Sequence, residues 1–80
     1  MPSLRLRCKI HSGERLNERI AAVEKAANAI RRVRSCFLRV VPTEGGVFCD
    51  LYLHGARPLD PGVEFALRTT GERFTREIIG

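Results

Sequence analysis

The stretch from Ser35 to His54 restricts what this chain can fold into more than any other. It reads Ser-Cys-Phe-Leu-Arg-Val-Val, then Pro42-Thr43-Glu44-Gly45-Gly46, then Val-Phe-Cys-Asp-Leu-Tyr-Leu-His. β-Branched and aromatic residues alternate on both sides of a Gly-Gly-containing link of about five residues, the pattern of two antiparallel strands joined by a hairpin loop. Because strand side chains alternate faces, each arm divides in two. Cys36, Leu38 and Val40 oppose Phe37, Arg39 and Val41 on the first arm. On the second, Val47, Cys49, Leu51 and Leu53 make a wholly apolar row, and Phe48, Asp50, Tyr52 and His54 a mixed one. One face of the hairpin therefore belongs to a core, while the other is part aromatic and part polar.

The first strand shows the same division more sharply. Leu4, Leu6, Cys8 and Ile10 alternate with Arg5, Arg7 and Lys9, which predicts a strand with a cationic outer face. Ser12 is then placed to cap a helix with Glu14 in its first turn. Leu16, Ile20, Val23, Ala27 and Ile30 recur at helical spacing, which predicts an amphipathic helix from about Glu14 to Arg34. After the hairpin, Asp60-Pro61 opens a second predicted helix. Its expected buried stripe of Val63, Leu67, Thr70, Phe74 and Ile78, with Ala66 beside it, extends that helix to about Ile78, with Gly71 accepted inside it.

The predicted order is strand, helix, strand, strand, helix. A strand-helix-strand crossover within one sheet joins parallel strands. The expectation is an α+β two-layer sandwich, a three-stranded mixed sheet with both helices on one face, forming a single domain over residues 1–80. A chain of 80 residues buries only about 60% of its unfolded surface, so one sheet covered on one side suits its size.

Charge narrows the function. Lys plus Arg number 14 against 9 Asp plus Glu, for a net charge of +5 and a pI near 9.9. Such a surplus favours anionic partners, nucleic acid first. No apolar run has the length of a signal peptide or a membrane span, so a cytoplasmic protein without membrane partners is expected. Cys8, Cys36 and Cys49 stand alone on separate strands, with no close pair to suggest a disulfide framework or a zinc site. Neither a metal nor a cofactor is expected. Asp50 and His54 lie about 13 Å apart along one strand, and Cys49 points to the other face, so no nucleophile and base converge. Gly45-Gly46 has no helix after it and is not a phosphate loop. A non-enzymatic protein is the expectation.

Two surfaces compete for a partner. On the open sheet face Arg5, Arg7, Lys9 and Arg39 lie among Phe37, Phe48 and Tyr52, a mixture that holds single-stranded RNA through phosphate contacts and base stacking. The same aromatics equally suit a homodimer or other protein interface. The predicted helices carry a second basic set that includes Lys25, Arg32, Arg73 and Arg76.

The layout also resembles a family. The run from Arg31 to Val41, the strand ending Leu51-Tyr52-Leu53-His54-Gly55, and Asp60 to Ile78 with Ala66-Leu67 and Glu72-Arg73-Phe74-Thr75-Arg76-Glu77-Ile78 are similar to the ribosome hibernation-promoting factors. These are also called ribosome-associated inhibitors or sigma-54 modulation proteins. Arg73 and Arg76 fall where that family places basic residues in its last helix, and Phe74 and Ile78 where it places buried ones. The resemblance implies a protein that occupies the small ribosomal subunit and blocks translation. Family members usually carry a fourth strand before the last helix, for which Gly55 to Leu59 leave little room.

Overall fold

The computed structural model describes residues 2–80. Its elements run β1 (Ser3–His11), α1 (Leu16–Ile30), β2 (Cys36–Thr43), β3 (Gly46–His54), α2 (Pro61–Thr69) and β4 (Thr75–Ile79). The sheet order is β2-β3-β1-β4, and every neighbouring pair is antiparallel. The α+β class with two helices on one side of a sheet stands, but the sheet has four strands instead of three and is not mixed. β1 and β2 do run in the same direction, as a crossover through α1 requires. The hairpin's second arm lies between them, so their parallel relation is never a direct pairing. This is the split β-α-β arrangement.

Glycine sets the start of the hairpin's second arm. β2 and β3 pair as far as Thr43 and Gly46, which leaves Glu44 and Gly45 as the turn, tighter than the five-residue link expected. A Cβ on Gly46 would come within 2.1 Å of the Ile10 carbonyl oxygen, so only glycine permits the close approach of β1. Ser12 caps no helix; its backbone N–H donates to the Gly45 carbonyl at 2.9 Å. Arg15, at φ 68°, occupies the N-cap position instead. α1 ends at Ile30, and turns carry the chain through Arg34.

The second helix is shorter than its apolar spacing predicts. α2 stops at Thr69, and Gly71 at φ 72° is the left-handed residue that ends it, a position any other residue would occupy at a cost. The residues from Thr75 to Ile79 then alternate between faces as β4. Arg73 and Arg76 therefore do not sit on a last helix: Arg73 lies in the link before β4 and Arg76 within β4. Arg68, Glu72 and Arg76, which stand four apart and would pair on a continuous helix, form no ion pair with one another. Glu72 accepts a fork from Arg19 of α1 at 2.7 and 2.6 Å, which holds its carboxyl below the usual range.

The core forms where these faces meet. Leu4, Leu6, Cys8 and Ile10 of β1 and Cys49, Leu51 and Leu53 of β3 pack under Val23, Ala26, Ala27 and Ile30 of α1 and Val63 and Ala66 of α2. Small alanines bring α1 close to the sheet. Arg34 is also buried, and its guanidinium donates to the carbonyls of His54 and Gly55 at 3.1 and 2.9 Å. This ties the end of α1 to the end of β3.

Candidate nucleic-acid interface

With the helices on one side, the outer side chains of all four strands form an uncovered surface in cross-strand rows. Phe37, Tyr52, Arg5 and Glu77 make one row; Arg39, Asp50, Arg7 and Thr75 the next; Val41, Phe48 and Lys9 the third. Register thus brings together Arg5, Arg7, Lys9 and Arg39 with Phe37, Phe48 and Tyr52, the seven residues expected to share this face.

The cations on this face fall into two groups. Arg7 donates a bidentate fork to Asp50, Nε to Oδ1 at 2.7 Å and Nη2 to Oδ2 at 2.9 Å, the strongest geometry available to a guanidinium and a carboxylate. Asp50 is fully buried under it, and Arg7 holds its carboxyl below the usual range. Arg5 is paired with Glu77. Lys9 and Arg39, by contrast, form no ion pair among the described residues. Two of the four expected phosphate contacts are therefore already neutralised from within the sheet. Asp50 and Glu77 were missed as the partners responsible because register cannot be read from the chain, although each lies directly opposite its arginine.

Aromatic rings complete the surface. The Arg7 guanidinium carbon stands 4.4 Å from the centre of the Phe48 ring and the Lys9 ammonium 5.7 Å from it, so the ring's electron-rich face is matched with positive charge. Phe37 and Tyr52 form a tilted pair with centroids 6.2 Å apart. Phe37 is 63% exposed, a large apolar ring facing solvent. Chemically the face can stack planar groups on rings and guanidinium while Lys9 and Arg39 hold anionic oxygens.

The second basic set does not join it. Lys25 is exposed on α1, Arg32 in the turn after it, and Arg73 before β4. Arg76 points to the helix side and pairs with Glu64 at 3.5 Å. Lys25 and Arg76 therefore lie on the helix side, apart from the open sheet face.

Cys8 and Cys49 are direct register partners on the core face, and both are buried free thiols. Burial pushes Cys8 up to about 12 and raises Cys49 and Cys36 as well, which keeps all three protonated and poorly nucleophilic. Among the described residues no three His, Cys, Asp or Glu side chains converge on a metal position, and no helix is long and apolar enough to cross a membrane. The chain matches no protein-family model, no curated protein and no solved structure.

Proposed function

We propose that this protein is a non-enzymatic, cytoplasmic module that binds single-stranded RNA on the open face of its sheet. The observation that carries the reading is Phe48, flanked by Arg7 and Lys9 on a four-stranded surface that no helix covers. Four-stranded sheets with exposed aromatics are a recurring solution for single-stranded RNA, the bases stacking on the rings; the likeness is one of architecture, and the site chemistry has to carry the function.

The test is anisotropy of a labelled single-stranded RNA with wild type and Phe48→Ala. Loss of one stacking position is expected to cost about 1–3 kcal/mol of binding. With Lys9 and Arg39, of the four expected cations on this face, left without an acidic partner among the described residues, affinity should fall about sevenfold between roughly 50 and 200 mM salt, from a slope near −0.7 per phosphate. Undiminished binding by Phe48→Ala would remove the sheet face from the account.

A narrower form comes from the family resemblance: the RNA is that of the small ribosomal subunit, and binding inhibits translation. Co-sedimentation with small subunits that survives the higher salt is its expected result. A second reading, homodimerisation over the same face, is favoured by the exposure of Phe37. Sedimentation at rising concentration, with Tyr52→Asp as the disrupting change, separates the two.

A further inference from the structure

The sheet has a second uncovered surface, on the opposite side from the aromatics and at the other end of the strand order. α2 leans on α1 and leaves the inner side of β4 bare: Ile78 points towards the helix layer yet is 65% exposed. Two hollows lie along this strip. One, of about 270 Å³, has apolar walls from Leu6, Leu59, Leu67 and Phe74. The other, of about 540 Å³, is lined by Leu4, Ala56, Pro58 and Ile78. Arg76 borders both, so they adjoin.

Charge on the rim is lopsided. The acids there are all held by arginine: Glu64 by Arg76 at 3.5 Å, Glu72 by Arg19 at 2.6 Å, and Glu77 by Arg5. Arg68 lines the first hollow and Arg57 the second, and neither has an acidic partner among the described residues. The groove therefore offers an apolar floor with one unneutralised cation at each hollow. Beside it runs the outer edge of β4, whose backbone pairs with no strand.

We propose that this groove takes an extended acidic peptide, which adds a strand to the free edge of β4, sets alternate apolar side chains beside Ile78, and places carboxylates against Arg57 and Arg68. Main-chain pairing supplies affinity in such strand addition, and side-chain hollows supply specificity. A second copy of the chain fits less well: antiparallel pairing of two β4 strands centred on Arg76 or on Glu77 sets like charges directly opposite each other. The proposal is independent of RNA binding, which uses the other side of the sheet.

The probe is a short fluorescein-labelled peptide that alternates leucine with threonine and carries glutamates at both ends. Its anisotropy should rise on titration with the full chain. Ile78→Asp and the double change Arg57→Glu, Arg68→Glu should each weaken binding by about tenfold or more, equivalent to about 1.4 kcal/mol. All three substituted side chains are exposed, and circular dichroism verifies that the fold is intact. The charge-reversed variant should prefer the same peptide ended with lysines. No binding to wild type, or equal binding by Ile78→Asp, overturns the proposal. So does self-association without peptide that Ile78→Asp abolishes, since the occupant is then another copy.

Discussion

The two outer strands of the sheet, β2 and β4, each leave one edge unpaired, yet they are held in place by different means. β2 is eight residues long, and its inner residues Cys36 and Leu38 pack against the core. Pro42 within it cannot donate to a further strand, a common defence of an open edge. β4 is five residues long, no helix covers it, and its inner residues Arg76 and Ile78 are exposed. Register with β1 and the pairs Arg5–Glu77 and Arg76–Glu64 hold it. Helices of 15 and 9 residues shelter three strands well, and the fourth depends on its single neighbour. Apolar burial, and with it most of the stability, is concentrated in β1, β3 and α1, with Val63 and Ala66 of α2, while β2 adds only partly buried residues.

The contrast is broken or sharpened most directly by deleting apolar side chains on either side of it. Leu51→Ala, at a fully buried position of β3, should cost about 2–5 kcal/mol in urea unfolding. That is a large share of what so small a domain holds.

Asp50→Asn tests whether the middle of the open face adds to this stability. Asp50 has a folded pKa depressed by the Arg7 fork. The pair's contribution is therefore complete above the unfolded carboxyl value near pH 4 and is lost as pH falls through the lower folded value. Unfolding midpoints of wild type and variant should differ at pH 7, begin to draw together below about pH 4, and converge once pH is below the folded value. An unchanged gap at low pH would mean that the pair contributes nothing through its charge.

Gly71→Ala asks whether the chain resists running α2 onward past β4. Holding alanine at a left-handed φ of 72° should cost about 1 kcal/mol; a stabilised variant with more helix by circular dichroism would show that β4 competes weakly with a longer helix. The smallest effect belongs to Ile78→Ala, which should stay within about 0.5 kcal/mol. A cost near that of Leu51→Ala would erase the distinction between the two edges.

What the chain discloses in advance follows the same line. β1 and the hairpin are legible because one face of each carries a wholly apolar row, such as Leu4, Leu6, Cys8 and Ile10, that no helical period reproduces. β4 is ambiguous: Phe74 and Ile78 lie four apart, which serves a helical stripe and one face of a strand alike. Gly71 was the available signal, since a glycine after a helical run marks its end more naturally than its middle. The direction of pairing was not visible, since the strand-helix-strand crossover suggests a mixed sheet where every pair is antiparallel, but the strand order left a trace. β3 has a richer inward row than β2, with Val47, Cys49, Leu51 and Leu53 against Cys36, Leu38 and Val40, as befits a central strand. The open-face cations were found as a group because strand alternation alone selects them. Their division into engaged and unengaged members depends on which residue stands opposite which, and that is a property of the closed sheet.

The position of β1 in the sheet also governs when this protein can fold. β1 pairs with β3 and with β4, both later in the chain, whose partners reach from Gly46 to Ile79. Until β4 is free, one edge of β1 has no strand to meet, while the β2–β3 hairpin can close locally. Such non-local pairing slows folding, because loop closure must precede the contacts that reward it. During synthesis β1 thus waits longer than β2 or β3 for its full set of neighbours, and loss of β4 would convert the middle of the sheet into an edge.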